Sequence, residues 1–142
     1  MGFSLLGRLA EGGVRLPRCT FKIPAGFPSP ATDHMEQPIS LDEVLSLRAP
    51  HVYLVTIDGD SMQGVGIFAG DLAVVDRSIE AGDGDVVVAL LNNDPICKRL
   101  RIRGKRVVLC SENPKYPDHH VLEGDDLSVW GVITYSVRRH GH

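Results

Sequence analysis

The chain has 142 residues, of which 43% are hydrophobic and 23% are charged, so it is long enough for one globular domain with a core of its own. Its formal net charge of −3 argues against a protein that binds nucleic acid through its overall charge. Three cysteines without a CxxC spacing argue against a metal site and for a reducing cytoplasm, and no apolar run approaches the roughly 18 residues of a membrane span.

Residues 1–40 are predicted to form an extended arm. Residues 3–9 have the pattern of a weak helical turn. After them, RLPRCTFKIPAGFPSPATD contains four prolines, which lack a backbone donor and favour extended geometry at the preceding residue. Residues 1–25 carry four basic residues and one acidic residue, a charge of +3, and residues 26–142 carry eleven and seventeen, a charge of −6. Loss of the first segment would therefore double the negative charge.

Residues 41–142 are predicted to form a compact antiparallel β-sandwich or barrel-like domain. A short helix is expected over residues 40–47, because Ser40 can cap it and Glu43 lies three residues further on. Short β-rich runs punctuated by Gly, Asn and Pro follow, which is typical of antiparallel sheets. The predicted strands cover residues 52–57, 72–75, 86–91, 96–102, 107–110 and 127–137.

Ser61 is a candidate nucleophile. It follows an apolar strand and lies in a tight Gly-Asp-Ser-Met turn, where we expect an exposed hydroxyl. A serine hydroxyl is a weak nucleophile until a base takes its proton. The histidines all lie in arm, loop or tail segments, where no strand pattern fixes them; they are His34, His51, His119, His120, His140 and His142.

The strand ICKRLRI contains a different candidate base, Lys98. Side chains alternate between the two faces of a strand, so Lys98 shares the apolar face with Ile96, Leu100 and Ile102. Burial disfavours charged lysine and lowers its pKa, so that neutral Lys98 could take the proton of Ser61. On spacing alone, the alternative stays open that Lys98 extends to solvent at a sheet edge and that Ser61 is an ordinary turn residue.

Three segments in chain order resemble the LexA/UmuD family of self-cleaving Ser-Lys proteins. AGFPSPATDHMEQPISLDEVL, residues 25–45, is similar to the region that spans the self-cleavage site of this family. GDSMQGVGIFAGDLAVVD, residues 59–76, is similar to its serine segment, and DGDVVVALLNNDPICKRL, residues 83–100, to its lysine segment. SENPKYP and VWGVI resemble a later loop and the last strand, so the similarity covers roughly residues 24–137.

The resemblance implies a β-rich fold and a catalytic dyad of Ser61 and Lys98 that cuts the protein's own chain between Ala25 and Gly26. Small residues at this bond leave room beside the attacked carbonyl, and Gly26 lets the backbone bend into a cleft. No cofactor and no metal is implied.

Two further details of the cutting reaction concern the backbone. The N–H groups of Asp60 and Ser61 are expected to hold the oxyanion. Pro24 departs from the family pattern, because it removes one backbone donor from the arm and restricts the residue before it. We therefore expect the arm to dock differently or to be cut at a different rate.

Within the family, the sequence favours the UmuD branch over a LexA-like repressor, because only 25 residues precede the expected cut and they show no recognition-helix pattern. The resemblance then implies a cytoplasmic homodimer whose self-cleavage is stimulated by a RecA filament on single-stranded DNA. The trimmed homodimer would be an accessory subunit of a UmuC-type translesion polymerase in the SOS response. It would not bind DNA specifically by itself. The alternatives are a non-enzymatic β-domain that binds polymerase or filament, and a remnant of a LexA-like repressor.

Three other features have ordinary explanations. A basic stripe on one hairpin is expected to be a solvated strand face, with docking to a polymerase or filament as the alternative. It consists of Arg99, Arg101, Arg103, Lys105 and Arg106. The acids expected to balance it are Glu123, Asp125 and Asp126.

The pair His119 and His120 lacks the ligand spacing of a metal site. Cys19 and Cys97 are expected to be small packing residues.

Overall fold

The chain folds mostly into antiparallel β-sheet, as the sequence predicts. The structure, a computed structural model, describes residues 3–7, 15–19, 35–47 and 49–141; of residues 3–7, 15–19, 35–37 and 39 it describes the backbone alone. In chain order the elements are β1 (Phe3–Gly7), β2 (Arg15–Cys19), β3 (Met35–Ser40), α1 (Leu41–Val44), β4 (Val52–Ile57), a 3₁₀ helix (Gln63–Val65), β5 (Leu72–Asp76), β6 (Val86–Leu91), β7 (Asp94–Arg103), β8 (Arg106–Cys110), β9 (His119–His120) and β10 (Leu127–Val137). No helix within these described ranges is long and apolar enough to cross a membrane.

Among the described residues, one sheet of eight strands forms most of the fold. Its strands lie in the order β1-β4-β5-β10-β6-β7-β8-β9, and neighbouring strands run antiparallel. Because β1 and β9 lie at opposite ends of this order, the sheet is open and not a closed barrel. β2 and β3 form a separate two-stranded sheet. β10 lies between β5 and β6, so the last strand of the chain joins the two halves of the large sheet.

The element boundaries follow the sequence patterns closely. β4, β6 and β10 have the predicted bounds, and β5, β7 and β8 are one to three residues longer than predicted. A helix forms at the predicted place but is shorter than predicted, since α1 covers only Leu41–Val44; as expected, the Ser40 hydroxyl accepts a hydrogen bond of 3.3 Å from the backbone N–H of Glu43. The helical turn predicted for residues 3–9 is wrong, because Phe3–Gly7 pairs as β1 with β4. The edge of β4 offers backbone hydrogen bonds that stabilise a strand, whereas an isolated helical turn is unstable in water.

Two apolar layers lie on opposite faces of the sheet. Successive residues of β6 alternate between them, so that Val88 packs in one layer and Val87 in the other. β7 alternates in the same way, with Cys97 in the layer of Val88 and Leu100 in the layer of Val87. Lys98 therefore extends from a strand that is fixed by packing on both faces.

Candidate active site

Ser61 lies in an excursion of the chain between β4 and β5. Two backbone hydrogen bonds of 2.8 Å close this excursion, from the N–H of Ile57 to the carbonyl of Asp71 and from the N–H of Gly70 to the carbonyl of Ile57. Ser61 lies just before the 3₁₀ helix and is only 1% exposed. The prediction that the Ser61 hydroxyl is exposed is therefore wrong, because a second loop, residues 111–116, covers the turn.

Lys98 extends from β7 to the same loop. Its Nζ donates a hydrogen bond of 2.6 Å to Oγ of Ser111 and lies 5.4 Å from the centre of the Tyr116 ring, within range of a cation–π contact. Burial lowers the pKa of Lys98 below its ordinary value of 10.5, and the nearby Cys97 acts in the opposite direction. The direction of this shift agrees with the expectation from the sequence.

Ser61 and Lys98 are linked through shared neighbours. The Ser61 hydroxyl donates a long hydrogen bond of 3.5 Å to the carbonyl of Cys97, the residue before Lys98 in β7. The Ser61 carbonyl accepts a hydrogen bond of 2.8 Å from the N–H of Glu112, the residue after Ser111. The structure thus brings the two residues of the predicted dyad to one place, between β7 and the loop that follows β8.

Polar side chains hold the loop of residues 111–116 on the Ser61 turn. Nδ2 of Asn113 donates a hydrogen bond of 2.8 Å to the carbonyl of Asp60. The Tyr116 hydroxyl donates a short hydrogen bond to the Asp60 carboxylate and thereby lowers the pKa of Asp60. Lys115 adds an ion pair with Asp60 at 3.5 Å. The loop therefore fixes the backbone of Asp60, whose N–H is one of the two predicted oxyanion donors.

Sequence reasoning missed the part that Ser111, Asn113 and Tyr116 play in this site. From its sequence, SENPKYP is recognisable only as a loop that resembles one in the family. The chemistry of its side chains could have indicated this part. A serine, an amide and a phenol, in a loop that two prolines make rigid, can donate and accept the hydrogen bonds that hold another loop. The pattern does not say which turn they contact, because that depends on how β8 pairs with β7.

The other end of the Ser61 excursion is fixed to the end of β10 by an ion pair. Nε and Nη2 of Arg138 donate hydrogen bonds of 3.0 and 2.8 Å to the two carboxylate oxygens of Asp71, which is 3% exposed. Nη2 also donates to the carbonyl of Gly66 at 2.7 Å, and the guanidinium lies 3.8 Å from the centre of the Phe68 ring. The hydrogen bonds from Arg138 hold the pKa of Asp71 below its ordinary value.

Two open grooves border the Ser61 turn. One, of about 440 Å³, is lined by residues that include Gly64, Ser111 and Tyr116. The other, of about 180 Å³, is lined by residues that include Val65 and Ile67 from the turn, together with residues of β6 and β10. Each groove offers space for a few side chains of an extended peptide.

Several predicted residues lie elsewhere. Ala25 and Gly26, the predicted cleavage site, lie outside the described residues, as does Pro24. His51 lies 3.7 Å from Asp76 and His119 lies 3.4 Å from Asp125. Within the part of the chain that the structure describes, no group of three or more His, Cys, Asp and Glu side chains is arranged to hold a metal ion.

Two residues of the basic stripe form ion pairs with acids other than the predicted ones. Among the ion pairs of the described residues, Arg99 pairs with Glu112 at 2.6 Å and Arg103 with Asp83 at 2.8 Å. The three predicted acids lie in the loop between β9 and β10, where the Asp125 carboxylate contacts Asn92 and His119 and not the stripe. Arg99 also donates a hydrogen bond to the carbonyl of Gly84, so it fixes the loop before β6.

Comparison with known proteins gives consistent matches. Residues 18–134 match the family model described as Peptidase S24-like. Protein SamA of Salmonella typhimurium is 36% identical over 123 residues, which cover 87% of this chain and 85% of SamA. Protein MucA of Escherichia coli is 36% identical over 120 residues, which cover 84% of this chain and 82% of MucA. The LexA repressor of Bordetella avium is 37% identical over 119 residues, which cover 84% of this chain but 55% of the repressor.

Proposed function

The chain belongs to the peptidase S24-like family, with UmuD-like and LexA relatives, and from that premise we propose that it is a serine peptidase that cuts its own chain between Ala25 and Gly26. Ser61 is the nucleophile, Lys98 the general base, and the N–H groups of Asp60 and Ser61 the oxyanion donors. The observation that carries the proposal is that Lys98, with its pKa lowered by burial, and Ser61 contact the same short segment of the chain.

The reaction follows from these roles. Neutral Lys98 accepts the proton of the Ser61 hydroxyl while Oγ attacks the carbonyl carbon of Ala25. The oxyanion collapses to a Ser61 ester, the bond to Gly26 breaks, and the Lys98 ammonium returns a proton to the leaving amine. Water then hydrolyses the ester, with Lys98 again as base. The products are residues 1–25 and 26–142, the second with a new N-terminus at Gly26.

Three physical features support this mechanism. Ser61 is buried and Lys98 is partly buried, and burial favours the neutral form of the lysine. The grooves beside the turn offer space for residues on either side of the cut bond. The short side chains of Ala25 and Gly26 reduce crowding around a carbonyl that must reach a buried hydroxyl.

An intact-mass measurement tests the proposal. The purified full chain is incubated with RecA, nucleotide and single-stranded DNA, and separately alone at alkaline pH. We expect masses corresponding to residues 1–25 and 26–142 for the wild type, and an uncut chain for Ser61→Ala and for Lys98→Arg. Cutting of either variant at the same bond and a near-normal rate would show that the dyad is wrong.

We further propose that the protein acts in the cytoplasm, in the SOS response to DNA damage. Cutting converts it to the form that acts in this response. The trimmed homodimer would associate with a UmuC-type polymerase for translesion synthesis. The change of net charge from −3 to −6 gives the trimmed chain an altered surface for such a partner. Sedimentation of residues 26–142 at micromolar concentration should show a dimer, and a monomer would contradict this part of the proposal.

A further inference from the structure

The contact between Lys98 and Ser111 has no part in the reaction described above. Ser111 follows directly after β8, is partly buried, and its Oγ accepts the hydrogen bond of 2.6 Å from Lys98 Nζ. The next residue, Glu112, donates its N–H to the carbonyl of Ser61. One two-residue segment therefore contacts the base through a side chain and the nucleophile through the backbone.

A lysine base needs its nitrogen to be directed as well as neutral. Neutral Nζ has two N–H donors and one lone pair, and rotation about the last carbon–nitrogen bond can direct that lone pair away from the hydroxyl. A hydrogen bond from one N–H to a fixed acceptor restricts this rotation. The Ser111 hydroxyl can accept from Lys98 in both the ammonium and the amine form, so it is able to act before and after proton transfer.

We propose that Ser111 is a positioning residue of the dyad: its hydroxyl accepts a hydrogen bond from Lys98 Nζ and thereby directs the lone pair of that nitrogen toward the Ser61 hydroxyl. This inference rests on the proposed function. Ser111 does not touch the reacting bond. Its contribution is orientation, which matters because small misplacements of catalytic groups cost large factors in rate.

The Ser111 bond also affects the proton affinity of Lys98. A hydroxyl acceptor stabilises an ammonium group more than an amine, so removing it lowers the pKa of Lys98. The Tyr116 ring, which faces the same nitrogen, favours the ammonium form as well. The charged and titratable groups on the elements packed around Lys98 include Asp60, Cys97, Arg99, Cys110, Glu112, Lys115 and Tyr116. The substitution Ser111→Ala leaves all of these in place.

The test compares self-cleavage of the full chain as a function of pH in Ser111→Ala, Ser111→Thr and the control Ser128→Ala, which changes an exposed serine of β10. For Ser111→Ala we expect the plateau rate to fall by about 10²-fold and the midpoint of the pH profile to move to lower pH. Ser111→Thr keeps a hydroxyl and should restore most of the plateau rate. Ser128→Ala should match the wild type. Thermal unfolding of each variant checks that it is folded.

A second measurement does not depend on cutting. In a Ser61→Ala background, NMR titration of the Lys98 ammonium should give a lower pKa when Ser111→Ala is added. The inference is overturned if Ser111→Ala cuts with the wild-type plateau and midpoint, or if its rate falls without a change of midpoint and Ser111→Thr gives no rescue. In either case Ser61→Ala and Lys98→Arg would remain uncut and the dyad would stand. Cutting by Ser61→Ala itself would overturn the proposed function and this inference together.

Discussion

Gly64 and Glu112 are in direct backbone contact. The N–H of Gly64 donates a hydrogen bond of 2.7 Å to the carbonyl of Glu112, and a Cβ atom on residue 64 would lie 2.5 Å from that same oxygen. Because Glu112 also binds the carbonyl of Ser61, this close approach fixes the distance between the Ser61 turn and the loop of residues 111–116. The absence of a side chain at position 64 is therefore a requirement of the site.

Gly64→Ala should separate the two loops. The new methyl group meets a backbone oxygen that cannot rotate away, so we expect a loss of about 1–3 kcal/mol in the free energy of unfolding and a fall in the rate of self-cleavage. Urea unfolding and intact mass measure the two effects. Gly82→Ala is the matched control, because its Cβ would have 4.0 Å to the nearest atom, an Asp85 carboxylate oxygen. Equal behaviour of the two variants would contradict the proposed role of this contact.

The positions of the strands could be predicted because they depend on residues that are close together in the sequence. Apolar runs such as Val52–Ile57 and Val86–Leu91, bounded by Gly, Asn and Pro, gave strands with the observed bounds. Ser40 and Glu43 likewise specified the start of α1. The failure at β1 has a long-range cause, since Phe3–Gly7 is a strand through its pairing with β4, and no local pattern contains that partner.

The candidate site was predictable in part for the same reason. The period of two along β7 placed Lys98 on its strand, and the family resemblance paired it with Ser61. The burial of Ser61 was missed, because the atoms that cover it come from residues about 50 positions later in the chain, such as Glu112. The role of Ser111 depends on the same docking and was equally invisible to local patterns.

Arg138→Ala should destabilise the Ser61 excursion. Asp71 would keep its charge at neutral pH in a buried place without its guanidinium partner, and unpaired buried charges are strongly unfavourable. We expect the melting temperature to fall by roughly 5 °C or more at neutral pH. Arg139→Ala is the control, because Arg139 is exposed and its side chain donates to the carbonyl of Gly141 near the end of the chain. Differential scanning calorimetry of both variants measures the difference.

The same ion pair predicts an acid dependence. The pKa of Asp71 in the folded chain is lowered, chiefly by Arg138, so its contribution to stability is present above the unfolded pKa of about 3.9 and is lost as pH falls through the folded value. The stability difference between wild type and Arg138→Ala should therefore shrink as the pH drops below about 4. A difference that stays constant down to about pH 2 would show that Arg138 acts through packing on Phe68 and not through the charge of Asp71.

Cys97 should resist thiol reagents. It is fully buried, and burial raises the pKa of its thiol to about 12, so only about one molecule in 10⁴ carries the reactive thiolate at about pH 8. A thiol reagent should label Cys97 only at the rate of unfolding, whereas Cys110, which is partly exposed, should be labelled earlier. Peptide mass mapping measures the two labelling rates. Equal labelling rates for both cysteines in the native protein would contradict the packing of β7.

The pH profile of self-cleavage should report the titration of Lys98. Only neutral Lys98 can accept the proton of Ser61, so the rate should rise with pH through the folded pKa of Lys98 and then level off. Burial lowers this pKa below 10.5, so the midpoint should lie at lower pH than for a free lysine. Lys98→Arg keeps the positive charge, but a guanidinium stays protonated at any usable pH, so this variant should remain uncut across the whole profile. The arginine side chain can keep the contacts that Lys98 makes with Ser111 and Tyr116. A Lys98→Arg protein that is folded but inactive would therefore show that the base is lost and the structure is not. Cutting by Lys98→Arg at a near-normal rate would instead show that another group is the base.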